Sequence, residues 1–554
     1  MSNLVVFDFI KNINSIKNAY LNSIDISENL ILLPLSHKIY NSLLNRYKKE
    51  FAKDINLIDS KYESKFNSDK LSFINQGFSY VVLDNLDKYY GIIFFKKLDD
   101  QFKEIELNFS FTCEKEEIIL ETIKEAIISI SKTLIVDKLI IDCFKTDFGE
   151  SLFAEIGFVP YKEDSKNKFL IFKDVYVPKK GEIILTAGPS VSSLEASYAY
   201  DAAINGWNNN WAKYIRALEK KFADFLGVNY AISTSSCTGA LQIALEALDI
   251  GDGDEVIVPD QTWVATANAV KYAGAKPVFA DVEMTSWNIC PNSVRKLINE
   301  RTKAIIPVHM YGNPCNMDEI MKIASDFNLR IVEDAAPSIG ASWKGRKTGT
   351  FGDFGGFSFQ GAKLMVTGEG GMLVTNNLSL YEKAKKIADQ GRNSNAKRSF
   401  WIDEKGLKYK MSNLQASFGL AQLERIDTLI SMKRRIFKWY KRNLSGLNCI
   451  KIHQEHSQAK SIYWMSSICL QNNSNISRDR LIALLKEDGI DTRPTFPAIS
   501  QYPIWGKNRN EKPAPNANYI AENGINLPSG VCLTESKINY VCEKIKYHLQ
   551  GSIT

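Results

Sequence analysis

Between residues 229 and 334, short unbroken apolar runs alternate with stretches of helical period. The runs are NYAIST (229–234), EVIVP (255–259), KPVFADV (276–282), KAIIPVH (303–309) and RIVED (330–334), and GALQIALEAL (239–248) reads as a helix among them. Continuous Val and Ile runs separated by helices fit a parallel sheet covered on both faces. An α/β layered domain is expected, with ligands at the carboxyl ends of its strands. The pattern nearer the N-terminus is different. SYVVLD (79–84), YYGIIFFKKL (89–98) and KEIELNFSF (103–111) predict three consecutive antiparallel strands. EEIILETIKEAIISISKTL (116–134) sets 119, 120, 123, 127, 130 and 134 on one apolar face, predicting a helix. KLIIDCF (138–144) predicts a buried strand, FGESLFAEIGF (148–158) a helix ending at Gly157, and NKFLIFK (167–173) a final strand.

The periodicity breaks at VYVPKKGEIILTAGPSVSS (175–193), where Pro178, Gly181, Gly188 and Pro189 interrupt it. Two domains are therefore expected, 1–178 and 183–554, without internal repeats. With 45% AVILMFWYC and 24% charged residues, the chain is neither disordered nor a disulfide-stapled miniature. The first 178 residues hold 23 basic and 27 acidic side chains and the remainder 46 and 36, so the chain's small net charge of +6 comes from a positive excess in the second part. That excess suits an anionic small molecule, and no basic block interleaved with aromatics suggests nucleic acid. Nine cysteines without a C-x-x-C pair and five histidines without H-E-x-x-H predict reduced thiols and no metal site. No run of about 18 uncharged apolar residues predicts a membrane span. MSNLVVFDFIKNINSI does not read as a signal peptide, and a cytoplasmic location is expected.

Four pieces of the second part make chemical sense together. STSSCTGAL (233–241) puts small hydroxyl residues, among them Ser236 and Thr238, directly before a helix. Such a turn can hold a phosphate dianion or be an ordinary N-cap. Asp334 closes the strand RIVED, where a carboxylate can hold a proton on a ring nitrogen or merely cap a turn. In FGDFGGFSFQGAKLMVTGEGGMLVTN (351–376), Lys363 stands between glycine-rich turns. A desolvated lysine there can lose its proton and attack a carbonyl as a Schiff-base nucleophile. Trp263, in PDQTWVAT, offers a flat ring for stacking, or a core side chain. Phosphate cup, stacking ring, ring-nitrogen carboxylate and Schiff-base lysine are what pyridoxal phosphate requires.

Residues 183–550 resemble the DegT/DnrJ/EryC1/StrS sugar aminotransferases, and within them the GDP-perosamine synthase-like members. The matching stretches are GDEVIVPDQTWVATANAV, KAIIPVHMYG, IVEDAAPSIGA, FGDFGGFSF with Lys363 and TGEGGM, MSNLQASFGLAQLERI and GINLPSG. The resemblance implies an aspartate aminotransferase-like (fold type I) domain with pyridoxal 5'-phosphate as cofactor. It makes Lys363 the Schiff-base lysine and Asp334 the partner of the pyridinium nitrogen. Trp263 becomes the stacking residue, and Ser236, Cys237, Thr238 and Ser358 phosphate contacts. A homodimer with shared active sites is implied, in which a partner's loop reaches the phosphate. Where the family pattern has Asn and Arg in that loop, GLKYKMSNLQ carries Lys408 and Lys410. Pro337 replaces the usual Gln or Glu after EDAA, and Ala212 a usual glycine in GWNNNWAKY. His309, Tyr311 and Arg493 are further candidates for substrate contact, although a structural histidine or a local ion pair would account for the first and last equally.

The implied reaction converts a nucleotide-linked 4-keto-6-deoxy sugar to the 4-amino sugar with glutamate, for surface polysaccharide or glycan synthesis. A pyridoxal-phosphate-dependent sugar dehydratase and a non-catalytic regulatory protein are the competing readings. Lys363 argues against the dehydratase, in which histidine commonly replaces it. The β-β-β-α-β-α-β order of the first 178 residues resembles GCN5-related N-acetyltransferases, which would bring acetyl-coenzyme A. Yet TCEKEE (112–117) lies where that family has a glycine-rich pyrophosphate turn, and its Glu114, Glu116 and Glu117 would repel the ligand. The domain is thus expected either to acylate the amine installed by the second domain or to be a degenerate module.

Overall fold

A computed structural model describes eight strands, Thr122 and Ile123 in the first 177 residues. It also describes Pro178 and residues 181–550, apart from 393–397, 399–400, 403 and 506–513. The chain divides into two compact units, Met1–Tyr176 with Ser190–Tyr200, and Val177–Pro189 with Asp201–Thr554.

In the first unit the strands are β1 (Ile24–Ser27), β2 (Leu30–Pro34), β3 (Ser79–Asp84), β4 (Tyr89–Lys97), β5 (Glu104–Phe111), β6 (Lys138–Asp142), β7 (Phe158–Glu163) and β8 (Lys168–Phe172). They form one sheet in the order β1-β2-β3-β4-β5-β6-β8-β7. The three predicted meander strands are β3, β4 and β5, paired antiparallel. Only β5 and β6 run parallel among these strands. Strands β1, β2 and β7 were not anticipated, and β7 starts at Phe158, directly after Gly157, where the preceding helix was expected to end. The helix predicted over 116–134 lies outside the described residues except for Thr122 and Ile123, which are helical and buried. The remainder of the helix predicted over 148–158 also lies outside them.

The second unit is built on a seven-stranded sheet. Its strands include β9 (Tyr230–Thr234), β10 (Glu255–Pro259), β11 (Lys276–Ala280), β12 (Thr302–Ile305) and β13 (Arg330–Asp334). After the short hairpin of β14 (Ser342–Trp343) and β15 (Arg346–Lys347) come β16 (Phe354–Ser358) and β17 (Gly371–Thr375). The order is β11-β10-β12-β13-β16-β17-β9, with β13 in the middle. Strands β10 to β13 and β16 pair in parallel, as the unbroken apolar runs predict. Strand β17 is the exception, antiparallel to both neighbours. The period of two explains why these runs are apolar throughout. Val256 and Val258 of β10 pack in one core with the helices Cys237–Ala247, Ala265–Tyr272 and Leu378–Ala388. Ile257 packs on the other face with Pro291–Leu297 and Met317–Phe327.

Two predicted strands are longer than the observed ones. KAIIPVH stays regular only to Ile305, because Pro307 has no N–H to give its neighbour, although its carbonyl still accepts from the Asp334 N–H. KPVFADV leaves the sheet after Ala280, where the Asp281 carbonyl turns to accept from Cys290. The helix predicted from 239 begins at Cys237, since Ser236 caps it and its first turn is too polar to register in the apolar period.

Candidate active site

Four strand ends meet on one edge of the sheet. Asp334 of β13 stands opposite Gly356 of β16, and Ser358 opposite Gly371 of β17, which in turn faces Thr234 of β9. From Thr234 the chain passes through Ser235 and Ser236 into the helix Cys237–Ala247. The Ser236 hydroxyl accepts the Gly239 N–H at 3.1 Å. The N–H groups of Cys237 and Thr238 belong to the first turn, where no carbonyl of the helix can reach them, and they point a partial positive charge outward. Gly371 is what lets β17 lie against this turn, since a Cβ there would come 2.5 Å from Ser236 C and 2.6 Å from Cys237 N. Tyr409 closes the other side. Its carbonyl accepts the Ser235 N–H at 2.6 Å, and a Cβ on Gly239 would strike its ring at 2.8 Å.

Asp334 is buried. It accepts the Thr266 hydroxyl at 2.7 Å and the Ala336 N–H at 3.1 Å. Burial pushes its carboxyl above the usual carboxylate range, against the pull of these bonds and of the Lys363 ammonium. Among the described residues, no cation lies within ion-pair distance of it.

Lys363 sits in the connection between β16 and β17, on a turn closed by its own N–H to the Gln360 carbonyl at 2.8 Å. The residue as a whole is half-buried, but its amine end is enclosed, and burial lowers its pKa to about 8 despite the attraction of the Asp334 carboxylate. The Cys237 thiol is pushed well above its ordinary range by burial, and the Asp334 carboxylate adds to that. It stays a neutral thiol. Carboxylate, thiol and amine, far apart in the chain, therefore share one enclosed place, where the Asp334 and Lys363 charges act on each other.

Trp263 lies just beyond β10 with its ring tilted against Phe496, centroids 5.5 Å apart, and it is 53% exposed, which leaves one face open. Ser358 is buried beside the capped turn. Lys408 is exposed, whereas Lys410 pairs with Asp389 at 2.7 Å.

The substrate-side residues separate. His309 is fully buried, with Nδ1 accepting the Cys315 N–H at 3.1 Å and Nε2 placed 3.0 Å from Glu333. No ring nitrogen is left for a ligand, so the structural alternative describes this histidine. Tyr311 is likewise buried, its hydroxyl accepting from Asn526 at 3.1 Å. Arg493 is exposed and 3.8 Å from Asp491. Sequence reasoning missed Thr266, which holds Asp334, and Trp464, whose ring centroid is 3.8 Å from the Lys363 amine. A threonine one turn past Trp263 is a faint signal for the former. Nothing in the pattern marks the latter.

Residues 189–546 match the DegT/DnrJ/EryC1/StrS aminotransferase family. The chain belongs to it. It is a pyridoxal-phosphate-dependent sugar aminotransferase, with the α/β fold that its motifs predict. A GDP-perosamine synthase of Escherichia coli O157:H7 is 39% identical over 357 residues, which are 64% of this chain and 96% of that protein. The GDP-perosamine synthase of Vibrio cholerae is 37% identical over 358 residues, 65% of this chain and 97% of its own. Among solved structures, DesI in the presence of its TDP-sugar product is similar with a TM-score of 0.61 at 26% identity, over 67% of this chain and 94% of its own. The donor set fits the cofactor. A helix N-terminus with unused N–H groups suits a phosphate, an unpaired buried carboxylate suits a protonated ring nitrogen, and a depressed amine suits an aldehyde.

Proposed function

We propose that this enzyme converts a nucleotide-linked 4-keto-6-deoxy sugar to the corresponding 4-amino sugar, with glutamate as amino donor, in surface polysaccharide or glycan synthesis. The observation that carries the site assignment is geometric: Asp334 stands opposite Gly356, where a Cβ would come 3.3 Å from Cys237 Sγ, beside the helix start that Ser236 caps, and burial perturbs Asp334, Cys237 and Lys363 together. Support for the substrate class comes from the GDP-perosamine synthases and from DesI with its TDP-sugar product.

Pyridoxal phosphate, when bound, supplies an aldehyde for amino groups and a pyridinium ring that takes up an electron pair. The chain does the rest. The Cys237 and Thr238 N–H groups and the Ser236 and Ser358 hydroxyls hold the phosphate, and Lys408 of a second copy adds a cation there in a homodimer. Trp263 covers one ring face. Asp334, oriented by Thr266, keeps the proton on the ring nitrogen. Lys363 would be the residue that holds the cofactor's aldehyde, and its free amine would serve as the base for the donor's α-proton. With a pKa of about 8, its amine is neutral often enough near physiological pH to act as that base. His309 is left out of this set, and Arg493, exposed beside Asp491, is the candidate contact for a diphosphate.

Borohydride reduction of cofactor-loaded protein, followed by peptide mapping, should label Lys363. An unlabelled lysine there would falsify the site. Mixing the protein and glutamate with a panel of nucleotide keto-sugars, read by product mass and NMR, should yield a 4-amino sugar. Failure of every member with the cofactor bound would end the sugar assignment.

For the first unit we infer an acetyltransferase-like fold without a competent pyrophosphate cradle. What supports the fold is a single parallel pair, β5 with β6, inside an antiparallel sheet, and β8 inserted between β6 and β7. Calorimetry with acetyl-coenzyme A should register no binding, and saturable heat would restore the bifunctional reading.

A further inference from the structure

We propose that Trp464 is a positioning residue for Lys363, its indole face holding the free amine and its N–H anchoring the turn that carries it. The inference rests on Lys363 being the reactive amine. Two contacts define it. The Lys363 Nζ lies 3.8 Å from the centroid of the indole ring, within the range where an ammonium is attracted by the negative face of the π system. The indole N–H donates to the carbonyl of Ala362, the residue before the lysine, at 2.7 Å. One side chain thus fixes both ends of Lys363, the backbone through a hydrogen bond and the amine through the ring.

Trp464 is itself tightly held, as a positioning device requires. The helix Ile426–Leu444 grips it through two residues one turn apart, which share a face. Lys433 donates to the Trp464 carbonyl at 2.7 Å, and Phe437 stacks flat on the ring of the preceding Tyr463. Tyr463 has φ 50°, and so has Tyr311, whose ring packs 6.0 Å from Trp464. Side chains other than glycine rarely adopt that conformation, and it persists where packing over-determines it, most often at functional sites. Gly312, at φ +90°, has no room for a side chain, since a Cβ would come 2.9 Å from the Trp464 N. The backbone of Trp464 is therefore fixed on both sides, and its ring packs against Tyr311.

The groups that face the Lys363 amine are Asp334 from β13, the neutral Cys237 thiol from the helix start and the Trp464 ring. Asp334 and the ring both favour the protonated amine, while burial opposes it. Taking away the ring face should lower the amine's pKa further.

The test follows the pH dependence of Lys363 acetylation by trace acetic anhydride in the full-length chain freed of cofactor, by peptide mass spectrometry. Trp464→Leu should move the midpoint down by about one pH unit. Trp464→Phe keeps a ring face and should hold the wild-type midpoint, yet lose the Ala362 anchor and drop kcat about three- to tenfold with KM for glutamate unchanged. An unmoved midpoint in a folded Trp464→Leu overturns the proposal. Should that variant not fold, Trp464→Phe decides alone, and a wild-type kcat refutes the anchoring role. Borohydride labelling of wild-type Lys363 separates the outcomes, because labelling with an unmoved midpoint defeats this inference while leaving the proposed function intact.

Discussion

Glu333 and Asp334 are consecutive, identical in charge and both buried at the end of β13, yet they occupy opposite situations. The alternation of a strand sends their side chains to opposite faces of the sheet. Glu333 accepts the N–H groups of Gly349, Phe351 and Gly352 and lies against His309 Nε2, which fills the roughly four acceptor positions of a carboxylate. Among the described residues, Asp334 accepts from Thr266 and Ala336 only, and it faces the Lys363 amine. A saturated carboxylate holds a fold together. One with spare acceptor capacity, kept dry and oriented, is available to a ligand.

That contrast can be broken from several sides. The largest effect belongs to the amine that Asp334 faces. Replacing Lys363 by Ala should cut steady-state transamination by about 10²–10⁴-fold, and a variant retaining a tenth of wild-type kcat would contradict its role. Asp334→Asn comes next, with a loss on the order of 10²–10³-fold, because the amide keeps the shape but cannot hold the ring proton. Its melting temperature should stay level or rise, since a desolvated charge is removed.

The same variant exposes a pH signature. The folded Asp334 carboxyl titrates above its unfolded value. Well below the ordinary carboxylate pKa both states hold the proton and nothing changes. As pH rises through that value the unfolded chain ionises first, so cofactor-free protein loses stability until the folded carboxyl ionises too. Melting curves of wild type against Asp334→Asn should diverge in that direction, and parallel curves would mean that Asp334 is not held above its ordinary range.

Glu333→Ala should do the reverse of Asp334→Asn. It strands three backbone N–H groups and His309, costing about 3–5 kcal/mol of stability, while kcat per folded molecule stays within a few-fold. A stable but inactive Glu333→Ala would reverse the assignments of the two carboxylates. Lys408→Ala should have the smallest effect, weakening cofactor binding by about three- to tenfold, with the difference shrinking at high salt because the side chain is exposed.

Much of the second unit was legible because its chemistry is written in local spacing. The Val and Ile runs named the strands, whereas the glycine-flanked Lys363 and the hydroxyl-rich turn before Cys237 gained meaning only together with Asp334 and Trp263. Strand ends were read too long wherever a proline or a turning carbonyl broke the ladder, as at Pro307 and Asp281. His309 looked like a substrate contact because it ends an apolar run near the functional edge. Its engagement by Glu333 and Cys315 depends on which residues the sheet brings beside it. In the first unit, β1, β2 and β7 went unread although LILLP and FVPYKE are short apolar or mixed segments, since such runs do not distinguish strand from helix by period alone.

The order of residues along the chain was enough to determine the layered α/β class from its apolar runs, and its motifs were enough to show the family and the cofactor by resemblance, with Lys363 and Asp334 as the candidate amine and carboxylate. Only the tertiary structure decided that Glu333 is structural and Asp334 available, that Thr266 orients the latter, and that Trp464 lies under Lys363. Those choices turn on which distant side chains share an enclosed volume, and burial, acceptor saturation and ring contact arise only when the sheet closes them together.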